Sequence, residues 1–487
     1  MYRDPVELLQ SHFGYRGFRA GQEELIRAVL RGKDALVILP TGGGKSVCYQ
    51  VPALTLGGIV LVITPLVSLM EDQVRRAQEV GLRAAHLSAA QTAQDRRSAL
   101  KAAGARELDV LLVSPERLEV SSFRDALSGL DVSLLAIDEA HCISEWGHDF
   151  RPSYRRIGRI RSALSCPLLA LTATATPKVR EDICRNLALS DPVVVVRSFD
   201  RPNLSWSVGR GGTLTQRVSR IYEVLSGQRG AAIVYAPTRS MVERARDRLA
   251  RRGLRAEAYH AGLPGEERTR VQNAFMEGAC RVVVATNAFG MGIDKSDVRV
   301  VAHVQLPLTL EAYYQEAGRA GRDGKQAKCL AFSARGDRRR ARAMLGQAHP
   351  PSRLLLRALR QLRSGADSQG VVRPESALLD RRGRRLSDEV RAGLINTLRR
   401  LDQVASEDST SGVYGTDRPG IGSLRLLGAG RPDLSPAAAH RRLVLAKLSA
   451  VQRYARGLGC RRRTLLRYFG EEAANACGSC DRCARPW

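Results

Sequence analysis

The run Leu134-Leu135-Ala136-Ile137-Asp138-Glu139-Ala140-His141 joins four apolar residues to two adjacent carboxylates. A buried strand that delivers two acids to its C-terminal end must meet a ligand there, because desolvating unpaired carboxylates is costly. Asp138 is placed to hold Mg²⁺ and Glu139 to accept a proton from an attacking water, with His141 grouped beside them as catalytic. Upstream, Thr41-Gly42-Gly43-Gly44-Lys45-Ser46 follows a second apolar run. In such a loop glycines let backbone N–H groups face phosphates, a lysine reaches the terminal phosphates and a serine ligates Mg²⁺. A Gly-rich turn with an incidental lysine has the same look in isolation. Paired with the downstream carboxylates, it points to ATP with Mg²⁺.

The acidic run passes without a break into Cys142-Ile143-Ser144-Glu145-Trp146-Gly147-His148-Asp149-Phe150-Arg151. This stretch holds an indole, a phenyl ring and basic groups but little that could pack. Aromatic faces accept stacked bases whatever their sequence, so a nucleotide site and a strand-binding platform are expected to be neighbours. Further on, Gln315-Glu316-Ala317-Gly318-Arg319-Ala320-Gly321-Arg322 is read as helical. Arg319 and Arg322 would then lie one turn apart, facing the γ-phosphate across a cleft, with Gln315 beside them.

In this order the motifs resemble those of superfamily 2 helicases, and specifically the RecQ family of DNA helicases, over residues 8 to 333. Phe13-Gly14-Tyr15-Arg16-Gly17-Phe18-Arg19-Ala20-Gly21-Gln22 is similar to the family's entry motif, which implies that Tyr15, Arg19 and Gln22 surround adenine. The resemblance implies that Trp146, His148, Phe150 and Arg151 couple strand binding to hydrolysis. It also implies that Thr64, Ser68 and Thr286 touch the strand, from matches at Thr64 to Leu69, Leu171 to Thr176 and Val284 to Lys295. Glu145 stands where the family usually has Gln, and Ser296 where it often has Pro. The implied activity is 3′ to 5′ unwinding of DNA. An ATP-regulated annealing protein and an RNA helicase remain open, since no motif here reads a 2′-hydroxyl. DNA, single-stranded and partly duplex, is the expected partner. Single-strand-binding protein and recombination factors are candidate protein partners, and a monomer is compatible with the reading.

Cys460, Cys477, Cys480 and Cys483 form two Cys-x-x-Cys steps and a more distant fourth thiol. Four thiolates make a closed tetrahedral site, so structural Zn²⁺ is expected, with an iron–sulfur cluster as the alternative. The arrangement also resembles the RecQ zinc-binding subdomain.

These groups need elements to hold them. Continuous apolar runs alternate with helical segments through residues 34 to 200, and the layout repeats between 232 and 332. That pattern argues for parallel sheets covered on both faces. The expected fold class is α/β: two tandem RecA-like domains (residues 1–205 and 206–340, joined by a linker near 202–213), a possible-wing insert (341–435) and a mostly helical zinc-binding module (436–487). Helical spacing at 352–363 and 387–402, then a Gly-rich hairpin at 404–427, outlines a winged-helix-like unit within the insert; a packing insert is the duller reading. The usual C-terminal winged-helix and helical nucleic-acid-binding domains are not expected after Trp487. The formal charge of +28 selects a polyanionic partner, and residues 331–487 carry 31 Lys and Arg against 14 Asp and Glu. No apolar run reaches the roughly 18 residues of a membrane span, and six scattered cysteines read as reduced core thiols; a cytoplasmic protein without membrane contact is expected.

Overall fold

The computed structural model describes residues 4–484 apart from 41, 66, 89–90, 148–149, 291–292, 294, 381, 407–422, 429 and 431. Thr41 and His148 therefore lie outside the described residues, as does the side chain of Ser68.

The first sheet has seven parallel strands: β1 (Ala35–Ile38), β2 (Ile59–Ile63), β3 (Ala84–Leu87), β4 (Val110–Val113), β5 (Val132–Ile137), β6 (Leu168–Thr172) and β7 (Val193–Val196), in the order β3-β4-β2-β5-β6-β1-β7. Every residue of β1, β2, β4 and β6 is buried, which is why these strands read as unbroken apolar runs. Alternate side chains serve two cores. Leu36, Ile38, Leu61, Ile63, Leu135 and Ile137 pack on one face, and Ala35, Val37, Val60, Val62, Leu134 and Ala136 on the other. Burying each large aliphatic chain contributes about 1.5–3 kcal/mol.

The second sheet is also parallel, with β8 (Leu204–Arg210), β9 (Ala231–Tyr235), β10 (Glu257–Tyr259), β11 (Val282–Ala285), β12 (Val298–His303) and β13 (Ala327–Ser333) in the order β10-β11-β9-β12-β13-β8. Two expectations change here. The polar stretch taken as a linker contains β8, so the domain boundary falls before Leu204 and not between residues 205 and 206. β8 lies at the sheet edge and alternates buried Leu204 and Trp206 with half-buried serines, a pattern easily taken for a loop.

The helix Arg335–Ala348 leaves β13 and runs through the expected boundary at 340. Beyond it come the helix Ser352–Ser364, β14 (Val371–Val372), the short helix Pro374–Ala377, the helix Asp388–Arg400, β15 (Val404–Ser406) and β16 (Leu424–Leu426). These strands are antiparallel in the order β14-β16-β15. Helix, strand, helix, helix, strand, strand with that order is winged-helix topology, and it has its own core of Leu355, Leu359, Leu362, Leu394, Leu398 and Leu424. Gly393 lets the unit press onto Arg335–Ala348: a Cβ there would collide with the carbonyl of Gln347. Two more helices, Ser435–Arg456 and Arg461–Tyr468, lead to the cysteines. Among the described residues no helix is long and apolar enough to cross a membrane.

Candidate nucleotide cleft and strand interface

β1 ends at the glycine loop, and the helix Val47–Ala53 follows it. Gly42 and Gly44 adopt φ of +81° and +77°, backbone that side chains rarely tolerate, and a Cβ on Gly43 would lie 2.7 Å from the Pro40 carbonyl oxygen. The loop is braced from the N-terminal segment. Gln22 Nε2 donates to the carbonyls of Gly43 (3.2 Å) and Gly44 (3.0 Å), its Oε1 accepts from the Arg19 amide at 2.8 Å, and Arg19 Nη1 donates to Gly42. Tyr15 is exposed beside Phe13 and lines, with Arg19, the same 470 Å³ cavity as Lys45 and Ser46. Gln22 acts here as a brace for the loop.

β5 delivers Asp138 and Glu139 to the cavity as the chemistry requires. Asp138 Oδ1 accepts from the Glu139 amide at 2.9 Å, and Tyr154 donates its hydroxyl to the Asp138 carbonyl at 2.9 Å. Burial and the adjacent Glu139 push the Asp138 carboxyl up to about 6, against the pull of Lys45. Glu139 has a φ of +46°, a strained conformation for a side-chain-bearing residue that turns it into the cavity's edge. His141 Nδ1 lies 3.2 Å from Glu139 Oε2 and 2.8 Å from Thr172 Oγ1, tying the acidic pair to the end of β6. Thr64 is fully buried, and its hydroxyl donates to Asp138 Oδ2 at 3.4 Å.

The second domain closes the cavity. The helix Leu310–Ala317 carries Gln315, but it ends before the arginines, so Arg319 and Arg322 stand in a turn and not on one helical face. Both line the cavity that holds Lys45, Ser46, Asp138 and Glu139. Arg322 packs so closely on the phosphate loop that a Cβ on Gly42 would meet its Cδ at 3.4 Å, and Arg319 is buried against Gly290. Two residues not singled out in the sequence hold this turn. Arg201 Nη2 donates to the carbonyls of Ala320 and Gly321 at 2.9 Å each, and Asn203 Nδ2 to Gly321 at 2.8 Å. Gly321, at φ +57°, has no room for a Cβ, which would sit 2.5 Å from Asn203 Nδ2.

On the far side of Glu139 a second interdomain cavity, 550 Å³, is lined by Arg151, Gln315 and Arg319 and leads to the aromatic loop. There Trp146 is 42% exposed, available to a ligand. The loop is tightly tethered: Ser144 donates to Asp182 (2.8 Å) and Arg151 to the Pro65 carbonyl (3.2 Å). Phe150 lies under the guanidiniums of Arg155 and Arg400, at 5.2 and 5.9 Å from its ring centre. Thr286 is half-buried at the end of β11. A further missed residue, Lys447 of the helix Ser435–Arg456, donates to the carbonyls of Trp146 and Gly147 and pairs with Glu311 of the second domain at 2.9 Å. Both partners of that pair are buried.

The four C-terminal sulfurs converge, all within 4.8 Å of one another. A tetrahedron with Zn–S bonds of about 2.3 Å has sulfurs about 3.8 Å apart, so the donor set fits Zn²⁺ after slight contraction. The amides of Arg461 and Arg463 donate to Cys480 and Cys460 sulfurs at 3.4 and 3.5 Å, as thiolate ligands require. The cluster caps the open edge of β8: the Asp481 amide donates to the Trp206 carbonyl (3.0 Å), and Asp481 Oδ2 accepts from the Val208 amide (3.1 Å).

Two parallel sheets with a phosphate loop on one and arginines from the other across a shared cleft define the two-domain RecA-like motor core of superfamily 2 helicases. The family models agree: residues 19–183 match the DEAD/DEAH box helicase, 216–324 the helicase conserved C-terminal domain, and 425–484 the RecQ zinc-binding family. The probable ATP-dependent DNA helicase RecS of Bacillus subtilis is 42% identical over 68% of this chain and 67% of its own length. The ATP-dependent DNA helicase RecQ of Pasteurella multocida is 47% identical over 67% of this chain and 52% of its own. A solved structure of the Mycobacterium smegmatis helicase Lhr, bound to single-stranded DNA and AMP-PNP, shares the fold at 21% identity, with a TM-score of 0.56 over 92% of this chain and 62% of that one. The chain belongs to the RecQ family of helicases. It spans about half the length of the first curated relatives it matches. Its cofactors are ATP, Mg²⁺ and Zn²⁺.

Proposed function

We propose that the chain is an ATP-dependent DNA helicase that tracks 3′ to 5′ along one strand. The observation that carries this reading is the shared cavity in which Arg319 and Arg322 face Lys45, Ser46, Asp138 and Glu139. A bound triphosphate with its Mg²⁺ supplies the phosphoanhydride whose hydrolysis drives the cycle. Lys45 and the loop amides hold its terminal phosphates, and Ser46 and Asp138 hold the ion. Glu139 takes the proton of the attacking water, with His141 orienting its carboxylate. Arg319 and Arg322 offset charge as it develops, which they can do only while the domains are closed. Opening and closing is then felt by the aromatic loop, since that loop continues directly from Glu139 and carries Trp146.

Preference for DNA follows the relatives, which are named as DNA helicases. Single-strand-binding protein and recombination factors are the protein partners this reading implies, with the chain working as a monomer in the cytoplasm. Strand displacement on matched DNA and RNA duplexes with either overhang tests it. Unwinding of DNA with a 3′ overhang is expected. ATP-dependent binding without displacement would favour an annealing role, and displacement of RNA alone would make this an RNA helicase.

A further inference from the structure

A cavity of about 890 Å³ lies outside the nucleotide cleft, where the aromatic loop meets the winged-helix-like unit. One wall belongs to the first domain, with Phe150, Arg155 and Arg156; the opposite wall is the C-terminal end of the helix Asp388–Arg400, with Arg399 and Arg400. Arg155 and Arg400 both lie within 6 Å of the centre of the Phe150 ring, two like charges around one aromatic side chain. Arg155 pairs with Glu145, whose charge also reaches Arg400, while no carboxylate lies at ion-pair distance from Arg400 among the described residues. Of the other acids lining the cavity, Asp433 is spent on the Ser435 amide and hydroxyl, at 2.8 Å each, and Asp402 follows the arginines. The floor carries His349 and His440, ring to ring at 4.8 Å. Both are pushed down to about 4 by burial and by positive neighbours that include Arg400 and, for His440, Lys447 and Arg155.

We propose that this cavity binds the phosphodiester backbone of a nucleic-acid strand, and that the winged-helix-like unit reaches that strand through Arg399 and Arg400. The inference rests on the proposed function and extends it to a second contact, supplied by the inserted unit. Guanidiniums beside an aromatic ring suit a chain of alternating phosphates and bases, and the site adjoins the loop that carries Trp146. Arginines at a helix C-terminus also offset its dipole, but that role does not need them on a shared wall with Phe150.

The test is the salt dependence of oligonucleotide affinity for the whole chain, with single-stranded and duplex arms and inorganic phosphate as competitor. Arg399→Gln with Arg400→Gln is expected to flatten the slope of log K against log salt by about 1.4 on single strands or about 1.8 on duplex, from about 0.7 or 0.9 per lost contact. Flattening on either arm supports the proposal and identifies the form bound. Arg400→Lys keeps the charge and is expected to keep the parent slope. The exposed pair Arg251→Gln with Arg252→Gln, on the second domain, is expected to leave it unchanged. An unchanged slope in the Arg399/Arg400 variant on both arms overturns the site. So does a loss in Arg400→Lys as large as in the double variant, which would mark a packing effect, or displacement of the oligonucleotide by millimolar phosphate, which would mark a small-anion pocket. If the parent chain itself shows no oligonucleotide binding, it is the helicase reading that fails.

Discussion

Lys45 stands among the residues whose loss should be felt in one measurement and not another. It lines the cleft with Asp138 and Arg319, a cavity whose lining does not include the exposed Trp146. Lys45→Ala is expected to lower ATP turnover by about 100-fold or more, on the scale of losing one stabiliser of developing charge, while single-strand affinity stays largely intact. Steady-state hydrolysis and fluorescence anisotropy check the two halves, and equal loss of both would refute the role. Lys45, Asp138 and the cysteines were legible because their types are rare in such spacing and because burying them demands a ligand. Arg201, Asn203 and Lys447 were not. In a chain with 77 Lys and Arg, one more cation carries no signal, and its hydrogen-bond partners are distant in sequence. The motif around Thr64 was visible, but the contact of its hydroxyl with Asp138 was not.

At the scale of elements, buried parallel strands announced themselves and edge strands did not. β1, β2 and β4 are apolar throughout, whereas β8 alternates with serines and depends on the cysteine segment to cover its edge. The inserted unit was visible in outline from helical spacing, and its antiparallel order completes the winged-helix topology. Its seam with the helix Ser435–Arg456 contains the His349–His440 pair, which yields a pH prediction. An unfolded histidine titrates near 6.5, and both folded rings are held near 4, by burial first and then, for His349, by His440, Arg400 and Arg441 and, for His440, by Arg400, Lys447 and Arg155. Between those values the unfolded chain binds more protons, so stability rises with pH in that window and is lost as pH falls through it. The melting temperature is expected to drop on acidification from 6.5 toward 4 and to drop less in a His349→Gln, His440→Gln variant. Parallel curves for the two proteins would contradict it.

At the scale of the molecule, the segment between the sheets is held from three sides. Glu471 accepts from the Phe199 amide at 2.7 Å, Phe469 stacks on Phe199 at 4.5 Å, and Arg462 pairs with Asp200. Arg201 and Asn203, next in the chain, clamp the turn that carries Arg319 and Arg322. The zinc module, the hinge and the arginines thus form one hydrogen-bonded path. Lys447 closes a second path, from Glu311 to the backbone under Trp146. Lys447→Met alone leaves a buried carboxylate without its cation and is expected to cost about 3–5 kcal/mol, with much of it recovered when Glu311→Gln is added. Additive losses in that double-mutant cycle, read by denaturant unfolding, would show that the two do not interact. The account's central claim is that hydrolysis and grip are linked because Glu139 and the aromatic loop share one stretch of backbone. The most direct measurement is the rate of ATP hydrolysis by the purified chain with and without a single-stranded oligonucleotide: a marked rise on adding the strand, much reduced in Trp146→Ala, is predicted, and a rate indifferent to the strand would contradict it.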